Sequence, residues 1–128
     1  MTFLRRLRHI FLCLGLFWVS GCAAGGAALY EDLQAEDPSV RIKAAVRAGQ
    51  IKDPGAVPYL VDRLTDSEVD VRLFAIVSLE KITGQRMGYH VYDPPAQQAE
   101  AVDRWRKWLA TRRAAPEATS QPEVAQKS

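Results

Sequence analysis

Apolar residues recur at helical spacing in two stretches of this chain. Val40, Ala44, Ala48 and Ile51 share one stripe, and Val71, Ala75, Leu79 and Ile82 share another. The two stretches superpose. "LQAEDPSVRIKAAVRAGQIK" from Leu33 lies over "LTDSEVDVRLFAIVSLEKIT" from Leu64 at an offset of 31 residues, with six of twenty positions identical. The pairs are Leu33/Leu64, Val40/Val71, Arg41/Arg72, Ala44/Ala75, Val46/Val77 and Ile51/Ile82. A period of this length signals stacked repeats. Start and stop signals agree with helices. Asp37-Pro38 and Asp53-Pro54 place an N-cap acid before a proline, Ser67-x-x-Asp70 is a capping-box variant, and Gly84 ends the second stripe. No clean alternation persists between turn signals, so strands are not expected. The pattern predicts an all-α chain of about five helices, near residues 27–35, 38–50, 55–64, 68–82 and 95–113, with one long loop at 83–94.

"EDPSVRIKAAVRAGQIKDPGAVPYLVDRLTDSEVDVRLFAIVSLEKITG" resembles HEAT-like repeats of the kind also seen in phycobilisome lyases. The matching motifs are Asp-Pro-x-Val-Arg, an Ala-rich second helix and Asp-Pro-x-Ala-Val-Pro-x-Leu opening the next unit. The resemblance covers about residues 29–84 and implies a short α-solenoid of helical hairpins. Barely two units are present, whereas about three are usually needed for a stable stack. The helix at 68–82 is apolar nearly all round and needs cover on more than one side. "AVDRWRKWLA", with Val102, Trp105, Trp108 and Leu109 on one face, is the expected cover. A Trp-containing C-terminal helix thus caps the solenoid, reached through "GQRMGYHVYDPP".

The first 22 residues differ from the rest. Arg5, Arg6 and Arg8 precede an apolar run from Ile10 to Val19, and Ser20-Gly21 leads into Cys22. The run is about half of what spans a bilayer, so it reads as a secretory leader. Val19-Ser20-Gly21-Cys22 resembles the bacterial lipobox. That resemblance implies cleavage before Cys22, a thioether-linked diacylglycerol on its sulfur and an acylated new N-terminus. Ala23, where Asp often retains such proteins at the inner membrane, implies the outer membrane facing the periplasm in a didermic organism. The expected organisation is a cleaved leader at 1–21, a lipidated N-terminus and tether at 22–28, a repeat domain at 29–113 and a disordered tail at 114–128. The tail is rich in Pro, Ser, Glu and Gln and poor in large apolar groups.

The formal charge of +2 belongs to the leader. Without residues 1–21 the chain holds 14 basic and 15 acidic side chains, so no nucleic-acid partner is expected. Both cysteines, Cys13 and Cys22, lie in or beside the leader, which excludes a disulfide framework and a Cys-based metal site from the domain. Arg41 and Arg72 sit early in equivalent helices, where a cation opposes the helix dipole. The repeat resemblance implies a ladder of arginines bonded to loop carboxylates such as Asp37, Asp66 or Asp70, with direct contact to an acidic partner as the other reading. Tyr89, His90 and Tyr92 lie in a loop that forms either a candidate aromatic surface patch or part of the packed cap. One histidine and one nearby carboxylate, Asp93, are too few for a zinc centre, so no metal, cofactor or catalytic residue is expected. Arg104, Arg106, Lys107, Arg112 and Arg113 form a basic cluster that can meet lipid headgroups or peptidoglycan carboxylates. The expected role is a non-enzymatic interaction or scaffold module, anchored in the cell envelope through Cys22, with an unknown protein partner or self-association. The alternative is a lyase-like enzyme or ligand-handling accessory that uses the His90 loop.

Overall fold

The computed structural model describes residues 24–118. The leader, Cys13, Cys22 and the tail beyond 118 lie outside the described residues. Five α-helices follow one another: α1 (Ala24–Asp32), α2 (Pro38–Ile51), α3 (Val57–Arg63), α4 (Val69–Thr83) and α5 (Pro95–Ala118), with a 3-10 turn (Pro54–Ala56) leading into α3. The described residues are all helical, without strands, and form a short solenoid. Units α1–α2 and α3–α4 are the two repeats.

Helix boundaries follow local chemistry. Asp37 is in extended conformation before α2 and accepts from the Ser39 N–H at 2.8 Å. Asp53 accepts from the Gly55 N–H at 2.9 Å. The expected single helix at 55–64 opens instead as a 3-10 turn, because Pro58 has no N–H to give to the Pro54 carbonyl; the Val57 N–H takes that carbonyl one residue early. The Ser67-x-x-Asp70 capping box does not form. Glu68 stands at the N-cap without a side-chain bond, and Asp66 accepts from the Glu68 N–H at 3.1 Å. Two left-handed residues close the repeats: Gly84 at φ 73° after α4, and Lys52 at φ 51° after α2, where glycine would be unstrained.

Two ends of the chain depart from the expected bounds. Helix α1 starts at Ala24, inside the stretch read as a tether. Helix α5 runs through Ala118, so the first residues of the expected disordered tail continue it.

The core is continuous across both units. Leu33 and its repeat equivalent Leu64 are buried, as are Leu60, Ile76, Leu79, Val102 and Trp105. Helices α2 and α4 form the most extensive interface, α3 and α4 the next, and α5 lies against α3. This corrects the expectation that α5 supplies the principal second cover of α4. The side chains on α2 are small (Ala44, Ala45, Ala48 and Gly49) and the two backbones approach closely, so the equivalent helix of the neighbouring repeat provides that cover.

The last helix reverses the stack. The Tyr89 hydroxyl donates to the Leu64 carbonyl at 2.7 Å, at the C-terminal end of α3. Arg104 Nε donates to the Met87 carbonyl at 2.8 Å. Trp108, Leu109 and Arg112 then face Pro54, Val57 and Pro58 at the opposite end. Helix α5 therefore runs antiparallel to α3 and parallel to α4. The loop at 84–94 carries the chain back along the stack before α5 begins.

Candidate docking surface

The two repeat arginines bond equivalent carbonyls of their own loops. Arg41 Nη1 donates to the carbonyls of Ala35 and Glu36, each at 2.7 Å. Arg72 Nη1 donates to the carbonyls of Asp66 and Ser67 at 2.7 and 3.1 Å. In each case a cation early in a helix satisfies carbonyls of the preceding turn, which accounts for its place against the helix dipole.

Their outer faces differ. Arg41 reaches into the next repeat, where its Nη2 donates to Asp66 Oδ1 at 2.9 Å and its Nε lies 2.9 Å from Asp66 Oδ2. The Nε contact is an ion pair whose N–H is out of hydrogen-bonding alignment. Arg63 approaches the same carboxylate at 3.3 Å. Burial works to raise the Asp66 pKa, but the Arg41 guanidinium, the Glu68 N–H and the charge of Arg63 outweigh it and hold the group below its ordinary 3.8. Asp37 does not join this network; its carboxylate caps Ser39, and that bond lowers its pKa.

Arg72 has no such carboxylate. The position equivalent to Asp66 in the following stretch is Gln97, and Arg72 Nε is buried without a hydrogen-bond partner. The Tyr89 ring stands beside it instead. Burial raises the Tyr89 pKa, and the nearby Arg72 acts in the opposite direction.

Tyr89 is fully buried, so the expected surface patch of Tyr89, His90 and Tyr92 is not one patch. Its hydroxyl has the Leu64 carbonyl as partner, which lets the ring enter the core. Tyr92 is 85% exposed and His90 is exposed. Among the described residues no three metal-ligating side chains gather, around His90 or elsewhere.

The other surface feature is a cleft of about 380 Å³ between the start of α3, the end of α4 and the second half of α5. Val57, Pro58, Ile82, Trp108 and Leu109 give it apolar walls, and Arg112 and Arg113 stand at its rim. The Arg112 guanidinium sits 4.3 Å from the centre of the Trp108 ring, which in turn meets Trp105 edge-on at 5.4 Å. A cation held on an indole keeps its charge at a fixed place. Trp105 itself is fully buried, with its Nε1 unpaired.

Two further residues share this end. Ile51 is 59% exposed and Lys52 is exposed beside it. Helix α1 starts here too. The Tyr30 ring covers Gly26, stacks on Tyr59 at 4.8 Å, and its hydroxyl donates to Asp53 at 3.0 Å. The sequence placed Ile51 on the apolar stripe of α2, yet it lies past the covered part of that stripe and is exposed; Lys52 and Lys81 were not singled out. They come from separate helix ends, and only the antiparallel return of each hairpin brings them together.

Comparison with curated proteins finds no match to this chain. The family profile for HEAT repeats matches residues 26–110, about two thirds of the sequence and nearly all of the described stack. With two hairpins stacked in register and an arginine bridging them, the chain belongs to the HEAT-repeat family.

Proposed function

We propose that this protein is a membrane-anchored bacterial lipoprotein whose HEAT stack serves as a non-enzymatic docking or scaffold module. HEAT repeats are in general protein-interaction modules, and stacking exposes ridged helical surfaces rather than an enclosed catalytic pocket. The observation that carries the docking reading is the match to HEAT repeats over residues 26–110, nearly the whole of the described stack.

Anchoring rests on the leader. The basic start, short apolar run and Val19-Ser20-Gly21-Cys22 occur in the order that acylation requires. In this reading residues 1–21 are removed, Cys22 carries lipid and the repeat stack follows directly from α1. Several acyl chains hold a protein on a bilayer far more firmly than one. A lipid anchor also raises the local concentration of the stack near envelope partners. The cell envelope, and the outer membrane facing the periplasm in a didermic cell, is the proposed location.

The experiment is cross-linking in intact cells followed by mass spectrometry, comparing the native chain with Cys22→Ser. A recurrent protein partner that disappears when Cys22 is replaced supports both parts. Cross-links to nothing but lipid contradict the docking reading.

A further inference from the structure

The stack has two chemically different ends. One end gathers the start of α1, the last turns of α2 and α4 and the second half of α5. It carries Lys52, Lys81, Arg112 and Arg113, all exposed, around the exposed Ile51. Of the acids described there, Glu80 is paired with Arg86 at 2.7 Å, and Asp53, bonded to the neutral Tyr30 hydroxyl and Gly55 N–H, is one carboxylate against four cations. The opposite end, at the turns before α2 and α4, carries six acids, Glu36, Asp37, Asp62, Asp66, Glu68 and Asp70, against the three cations Arg41, Arg63 and Arg72, two of which are paired with Asp66.

Helix α1 starts at the basic end. Gly26, two residues into the helix, lies under the Tyr30 ring, whose hydroxyl bonds Asp53 and lies against Gly55 in the turn after α2. Cys22 precedes Ala24 by two residues, which span about 7 Å at full extension. Any acyl chain on Cys22 therefore leaves the molecule beside these cations and the exposed Ile51.

We infer that the basic end is a membrane-docking face: it lies on an anionic phospholipid surface, with Ile51 entering the headgroup layer, and the acidic end points away from the bilayer. Lysine and arginine within a screening length of such a surface are attracted to its phosphates. Arg112, fixed on Trp108, offers a planar guanidinium suited to bidentate contact with phosphate. The same field repels Asp37, Glu68 and Asp70, so one orientation is favoured. The inference rests on the acylation of Cys22 proposed above.

The test uses the mature, acylated chain, in which Cys22 is the only native cysteine and is blocked by lipid. A fluorophore is placed at Gln50→Cys, on the basic end, or at Ser67→Cys, on the acidic end. The protein is reconstituted in vesicles of phosphatidylcholine and phosphatidylglycerol that carry a headgroup quencher, and flotation is measured in parallel. Strong quenching at residue 50 and weak quenching at residue 67 support the inference. The contrast disappears while flotation persists in vesicles of phosphatidylcholine alone, at about 1 M salt, where screening acts within about 3 Å, and in the variant Arg112→Glu/Arg113→Glu, whose helical circular dichroism is unchanged. A chain that floats with equal quenching at both positions, or with residue 67 nearer the lipid, overturns the orientation alone. A chain that does not float overturns the anchoring and the orientation together. Protection of residue 50 in native membranes without quenching in vesicles assigns this end to a protein and overturns the lipid assignment.

Discussion

Gly49 of α2 packs directly against Ser78 of α4. A Cβ at Gly49 would fall 2.8 Å from Ser78 Oγ and 3.0 Å from its Cα. The Ser78 hydroxyl, itself buried, donates to the Ala45 carbonyl at 2.7 Å. Glycine inside a helix ordinarily costs about 1 kcal/mol relative to alanine. Here it is the residue that lets α2 and α4 pack.

Gly49→Ala should therefore destabilise the protein by about 1–3 kcal/mol, the usual cost of overpacking, despite its gain in helix propensity. Urea denaturation measures this. Gly25→Ala in α1 is the control: a Cβ there meets nothing within 4 Å, so the propensity gain should appear as unchanged or slightly increased stability.

Arg41 and Asp66 predict an acid dependence. The folded pKa of Asp66 lies below its ordinary 3.8. Its contribution is therefore complete above the unfolded value and is lost as pH falls through the lowered folded value. Unfolding free energy should drop more steeply on acidification in the native chain than in Asp66→Asn. The two curves should approach one another at the lowest pH. At neutral pH, Asp66→Asn leaves the buried Arg41 guanidinium without its counter-charge and should cost about 3 kcal/mol. Arg72→Ala should show no coupling to Asp66 charge comparable to that of Arg41→Ala in a double-mutant cycle.

Tyr89 and Tyr92 should separate sharply. Tyr89→Phe removes the donor to the Leu64 carbonyl inside the core and should cost about 1–2 kcal/mol. Tyr92→Ala and His90→Ala alter exposed side chains and should stay within about 0.5 kcal/mol. Thermal melts of the three variants check this.

Trp105→Ala should cost about 3–5 kcal/mol, because it empties a fully buried site. Trp105→Phe should cost less, since it keeps an aromatic ring and removes an indole N–H that has no partner. Equal losses in the two variants would contradict the packing of α5.

The repeat was legible because a 31-residue offset preserves both the apolar stripe and the arginine at its start. The arginine ladder was legible in kind, but its asymmetry was not. The sequence holds several acids in the loops, and only the stacking places Asp66 within reach of Arg41. Helix α4 looked as if it needed α5, because periodicity shows how many sides are apolar without showing what covers them. The alanines and Gly49 of α2 carried that information as small side chains, a signal for close approach that an apolar count ignores. Tyr89 was read with its loop neighbours, as surface because loops are usually exposed or as part of the packed cap. Its hydroxyl finds a carbonyl 25 residues away, which no local pattern records. The basic end was legible in part: Arg112 and Arg113 belong to the cluster read as able to meet lipid headgroups, whereas Lys52 and Lys81 are far from them in sequence and join them only through the fold.

The most direct test of the central claim, a helical docking stack tied to a membrane by its first mature residue, is intact mass spectrometry of the chain recovered from native membranes. The account predicts a polypeptide beginning at Cys22 and heavier than its sequence by a thioether-linked diacylglycerol and an N-terminal acyl chain. A free thiol at Cys22 on a chain recovered from the soluble fraction would contradict it.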